Sequence, residues 1–144
     1  MIIVDKILEV LKELVSEDYL VEFSNYDDNK YFKDGLYNKD GIFLVDVKST
    51  STSSVSVSQH IRDIRRRIGI TYISYFDSIS EKANIDNVKF VDDVLNRLIQ
   101  DERIKYSTRS LDYSYDVEHY QENENDLGGS NIINITIDLT ERRS

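Results

Sequence analysis

Residues 65–76 read Arg-Arg-Arg-Ile-Gly-Ile-Thr-Tyr-Ile-Ser-Tyr-Phe, and the way this stretch folds decides the rest of the chain. Ile68, Ile70, Tyr72, Ser74 and Phe76 fall on one side of an extended backbone, and the run is rich in β-branched and aromatic residues. It therefore reads as a long strand from Arg66 to Phe76. Residues 59–68 stay open, because Ile61, Ile64 and Ile68 also fit helical spacing. Upstream, the turn pair Asp40-Gly41 opens a second strand over 42–48, Ile-Phe-Leu-Val-Asp-Val-Lys, with Phe43, Val45 and Val47 on one face and Leu44, Asp46 and Lys48 on the other. Between these strands lies Ser-Thr-Ser-Thr-Ser-Ser-Val-Ser-Val-Ser, residues 49–58. Such a run cannot bury enough apolar area to fold alone, so residues 49–60 read as a hairpin tip or projecting arm. Val55 and Val57 alternate with Ser, which suits a strand laid on a partner.

Two amphipathic helices flank these strands. In residues 3–16, Ile3, Ile7, Leu8, Leu11, Leu14 and Val15 recur at helical spacing, with Asp5, Lys6, Glu9, Lys12 and Glu13 on the opposite face. In residues 86–101, Val88, Val91, Leu95, Leu98 and Ile99 form the apolar stripe. Asp86 is the expected N-cap, and Lys89, Asp93 and Arg97 are spaced for i, i+4 pairs. Residues 19–24 read as a short strand. A closing pair of strands alternates Leu111, Tyr113, Tyr115 and Val117 with polar residues, then Ile133, Ile135, Ile137 and Leu139 likewise. The segment joining them, 118–129, carries Glu118, Glu122, Glu124 and Asp126 before Gly128-Gly129 and reads as a mobile acidic loop. The fold expected is α+β: an antiparallel or mixed sheet with long hairpins, packed against two amphipathic helices in a single domain over 1–144.

Composition narrows the function. The chain has 144 residues, a net charge of −9 and no Cys or Pro. A general phosphate-gripping surface is disfavoured by that charge, and thiolate chemistry and disulfides are excluded. Tyr supplies ten of the fifteen aromatic residues, which places many rings at core margins or interfaces where the hydroxyl finds a partner. The longest apolar run, about five residues, is far short of a membrane span, and the N-terminus has no basic, apolar leader.

The sharpest catalytic candidate is Asp46-Val47-Lys48 on a strand. It resembles the (Asp/Glu)-x-Lys half-motif of the PD-(D/E)xK nucleases. That resemblance implies a divalent cation held by Asp46 and an upstream Asp34, a Lys48 that organises the attacking water, and Glu9 or Glu13 as an accessory acid. About two such triplets arise by chance in a chain of this composition, and Asp28-Asn29-Lys30 is the second one present. An alternating Asp/Lys face is also ordinary solvated strand. A nuclease of this kind needs a helix over 59–68, after the Asp-x-Lys strand. His60 and His119 lack ligand spacing, and no phosphate-cradling Gly loop or nucleophile elbow is present, so no cofactor or metal is expected.

Arg62, Arg65, Arg66 and Arg67 form the basic cluster. Their plain role is to pair with some of the many carboxylates of the chain. Their functional role in an acidic protein is to meet the acidic segment of another copy, which predicts a salt-sensitive assembly. The residues expected at such an interface are these four arginines with Ser53, Val55 and Val57 of the arm and Glu122, Glu124 and Asp126 of the acidic loop.

The order of elements as a whole resembles the tail terminator, or tail-completion, proteins of tailed phages. The stretches that carry the resemblance are Gly-Ile-Phe-Leu-Val-Asp-Val-Lys at 41–48, the arginine-led strand at 65–76, the helix at 86–101 and Asn-Ile-Ile-Asn-Ile-Thr-Ile-Asp-Leu at 131–139. The resemblance covers most of the chain and is one of layout. The Pro usual before the first long strand is missing, and the Ser/Thr run and acidic loop are longer than typical. It implies a structural virion protein made in the host cytoplasm and placed at the tail or neck. It also implies a homo-hexameric ring that caps the tail tube, stops its polymerisation and joins it to the head connector, while DNA passes through without specific binding. Catalytic residues, cofactors and membrane contacts are not part of that expectation.

Overall fold

A computed structural model describes residues 2–23, 40–56, 59–76, 81–121 and 129–141. Helix α1 (Ile2–Leu14) leads into strand β1 (Tyr19–Phe23). The long strands β2 (Gly41–Ser56) and β3 (Gln59–Phe76) follow, then helix α2 (Glu81–Gln100), a single-turn helix α3 (Glu102–Lys105), and strands β4 (Thr108–Gln121) and β5 (Gly129–Glu141). The five strands form one mixed sheet in the order β1-β2-β3-β5-β4. β1 is parallel to β2 and every other pairing is antiparallel. The expected α+β architecture is present.

Side-chain alternation builds the core. On one sheet face Phe43, Val45, Ile68, Ile70, Tyr72, Ile133, Ile135, Ile137 and Leu139 are buried against both long helices. α1 contributes Ile3, Val4, Ile7, Val10 and Leu11, and α2 contributes Val91, Val94, Leu95 and Leu98. Burying a side chain of this size contributes about 1.5–3 kcal/mol, so this layer dominates the stability. On the far face, at the β1 end, Ile42, Leu44 and Ile73 form a second buried group with Leu20 and Ile132 against it. Further along, that face turns polar: Asp46, Thr136 and Ser114 share the row of Gly69, and the next row holds Ser49, Arg67, Asp138 and Asp112.

Several expectations change. Residues 59–68 are strand, continuous with the run to Phe76. Pairing with β2 from Ser56↔Gln59 to Val47↔Ile68 satisfies the backbone of this stretch across the hairpin instead of along a helix. The Ser/Thr run through Ser56 is likewise strand, laid on β3 of its own chain. Asp86 does not cap the second helix, because that helix begins at Glu81 and places Asp86, exposed, inside it. Of the proposed acidic loop, 118–121 belong to β4 and Gly129 to β5; residues 122–128 lie outside the described residues. Tyrosine splits two ways. Tyr19, Tyr113 and Tyr115 sit half-buried at the core margin as expected, but Tyr72 is 1% exposed at its centre.

Candidate functional site: the far sheet face and the projecting hairpin

The β2–β3 hairpin outruns its neighbours. β1 pairs with β2 only from Gly41 to Val45, and β5 joins β3 only from Ile64 onward. Past those points Ser53–Ser56 and Gln59–Asp63 have each other as their described sheet partners. At ~3.4 Å per residue this tip extends on the order of 15 Å beyond the sheet. Among the described residues one sheet edge is the outer side of β1, continued past Val45 by the β2 backbone from Asp46 to Ser56, and the outer side of β4 is the opposite edge. The β2 edge carries no charged residue from Ser49 to Ser56 and no Pro, which are the usual devices against added strands. Of the expected interface residues, Ser53 and Val55 lie in β2 and Arg62 in β3. Val57, Glu122, Glu124 and Asp126 lie outside the described residues.

A β-bulge between Val47 and Ser49 sets which side chains meet beyond it. After the bulge, Ser49 opposes Arg67 and Ser51 opposes Arg65 on the far face, whereas Thr50 opposes Arg66 on the helix side. The arginine cluster is thereby divided. Arg66 pairs with Glu141 and donates to Thr50 Oγ1 at 3.0 Å, with little of its side chain exposed. Arg67 donates to Asp138 Oδ1 at 2.8 Å, an exposed pair that raises the arginine's already high pKa. Arg109 of β4 donates to Asp63 Oδ1 at 2.7 Å. Arg65 is exposed and has no carboxylate partner among the described residues.

Asp46 and Lys48 also reach the far face, with Lys48 Nζ 3.4 Å from Asp46 Oδ2 and both side chains exposed. Gly69 makes this possible. A Cβ there would lie 2.6 Å from Lys48 Cε, so the glycine leaves the lane along which the lysine stem crosses β3. The described parts of the nuclease constellation, Glu9 and Glu13, are not assembled around this pair. Glu9 and Glu13 lie on α1, on the opposite side of the sheet, where both bind Arg103. Asp34 lies outside the described residues, as does Asp28-Asn29-Lys30. Among the described residues no group of three or more potential metal ligands occurs. The strand over 59–68 occupies the position of the helix that such a nuclease needs.

The Arg103 network was not foreseen. Arg103 Nε donates to Asp101 Oδ1 at 2.9 Å, while its terminal nitrogens reach Glu9 and Glu13, tying α3 to α1. Hydrogen bonds from Arg103 hold the Asp101 and Glu13 carboxyls below their ordinary pKa. Asp101 also accepts from the Arg103 backbone N–H as the N-cap of α3. The Asp-Glu-Arg sequence at 101–103 carried that signal locally, but its link to α1 required the fold.

No protein-family model matches the chain, and no curated protein matches it.

Proposed function

We propose that this chain is a structural protein that works as a closed ring of identical copies, of the kind that caps a phage tail tube. The β2–β3 hairpin carries the reading. A two-stranded ribbon with a Ser/Thr-rich strand contributes little stability by itself, yet the chain extends it past the sheet and leaves its β2 edge from Ser49 to Ser56 without charged residues or Pro. A neighbouring copy gives both features a use. The sheet's two edges differ in sequence, so a contact between the β2 edge of one copy and a different surface of the next is head-to-tail, and head-to-tail contacts close into rings when the rotation allows. The element order of helix, short strand, long hairpin, helix and closing hairpin is the one on which the resemblance to tail terminators rests, and it supports this reading. On this reading the partners are further copies of the chain, the tail tube protein and the head connector. The net charge of −9 per copy then repels DNA passing through the opening.

The test is to shorten the hairpin by replacing residues 53–62 with an Asn-Gly turn. The account expects an unchanged circular dichroism spectrum and loss of self-association by light scattering. Association that survives the deletion counts against it. Mg²⁺- or Mn²⁺-dependent DNA cleavage by the intact chain, lost in Asp46→Ala, would replace the ring reading with a nuclease that uses Asp46 and Lys48.

A further inference from the structure

The far face holds a shallow depression of about 400 Å³ whose walls include Ser49, Ser51, Arg65, Arg67 and Thr140. A second hollow of about 260 Å³ shares Arg65, Ser110 and Thr140 with it and extends to Arg109 and Asp63. Arg65 stands at the junction of the two, in a cross-strand row with Ser51 on one side and Thr140 and Ser110 on the other. Every other guanidinium described there is already paired: Arg66 with Glu141, Arg67 with Asp138 and Arg109 with Asp63. Arg65 is exposed and lines both hollows, flanked by small hydroxyl side chains that leave room for an incoming group.

We propose that the Arg65 depression is an acceptor for a side-chain carboxylate, filled in the assembled protein by the acidic stretch from Glu122 to Asp126 of a second copy. The identity of the occupant rests on the ring reading; the acceptor chemistry does not. One fork of guanidinium donors matches one carboxylate in bidentate geometry. A nucleic acid suits the site less well, because its phosphates call for a row of cationic groups, whereas Arg65 is the single guanidinium there without a carboxylate partner among the described residues.

Chain geometry directs the acid to another copy. From Ser110, beside Arg65, to Gln121, strand β4 runs on the order of 35 Å at ~3.4 Å per residue. Gln121 and Gly129 are paired at that distant end. The seven residues between them, held at both ends, allow a return of roughly 12 Å. The acidic stretch of a chain therefore cannot fill its own Arg65 site. The second copy's stretch offers Glu122, Glu124 and Asp126.

The test compares self-association of the full chain with Arg65→Glu, with the triple variant Glu122→Arg/Glu124→Arg/Asp126→Arg, and with the two combined, by sedimentation at low salt. Circular dichroism verifies the fold of each variant. The account expects each reversal alone to weaken association at least tenfold and the combination to restore it to within threefold of the parent. If the ring forms and Arg65→Glu leaves it unchanged, or if the combination restores nothing, the acceptor assignment is overturned while the ring reading stands. If the parent chain never associates, the ring reading fails. A synthetic peptide with the sequence of residues 116–127 then decides the acceptor, since absent binding, or binding untouched by Arg65→Glu, overturns it.

Discussion

Gly41 opens β2 directly against the ring of Tyr72, and replacing it with Ala tests how tightly the sheet-to-helix layer is packed. A Cβ at position 41 would lie 2.6 Å from Tyr72 Cε2, 2.8 Å from its hydroxyl oxygen and 2.9 Å from Cζ. The ring has no room to retreat. It is 1% exposed, lies 4.7 Å from the centroid of Phe43, and packs on Phe90 at 5.8 Å. Forcing a methyl group into such a core costs about 2–3 kcal/mol. For a chain of this length that corresponds to a fall in Tm of roughly 6–12 °C. Removing the obstructing atoms isolates the cause. In a Tyr72→Leu background, itself less stable than the parent by about 2 kcal/mol, Gly41→Ala is expected to cost under about 0.5 kcal/mol, a coupling of about 2 kcal/mol between the sites. Urea denaturation of the four proteins, followed by circular dichroism, measures the cycle. A Gly41→Ala cost under about 0.5 kcal/mol in the parent, or an undiminished cost in the Tyr72→Leu background, would refute this packing argument.

Three further predictions concern single groups. Arg66→Ala, which strands Glu141, is expected to lower unfolding stability by about 2 kcal/mol, whereas Arg65→Ala stays within about 0.5 kcal/mol of the parent; urea midpoints of the monomers separate the two. Arg103 depresses the pKa of Glu13 and Asp101. That contribution is present above the ordinary carboxylate pKa and is lost as pH falls through the lowered folded values, so Arg103→Ala should flatten the acid limb of stability against pH, measured by urea midpoints along an acid series. Burial raises the Tyr72 hydroxyl pKa far above the ordinary tyrosine value. The folded protein holds that proton longer than the unfolded chain does, so stability falls as pH rises above the ordinary range, and ultraviolet titration should show this phenol ionising only on unfolding; in Tyr72→Phe that late step disappears.

Periodicity located every long element, because each has one face committed to a common core. The stripe from Val91 to Leu98 and the alternation from Ile133 to Leu139 are examples. It placed ends poorly where the side chains carry no hydrophobic signal. The Ser/Thr run of β2 and the arginine-rich start of β3 are strands because each supplies the other's backbone partners, and that property belongs to the pair. α3 was missed because four residues are too few to show a period. The arginine cluster was visible as a cluster, but its partition was not. The bulge after Val47 and the alternation of β3 send Arg65 and Arg67 to one face and Arg66 to the other, and neither choice can be made without the register. The Asp46–Lys48 pair was legible, and the separation of Glu9 and Glu13 from it follows only from α1 lying on the other side of the sheet.

The ring itself is tested most directly by mass photometry across a concentration series at low salt, with electron microscopy of the largest species. The account predicts one discrete closed oligomer with a central opening, of mass near six times the 16.8 kDa chain if the tail-terminator symmetry holds. A monomer at every concentration, or an open filament that grows without limit, would contradict it.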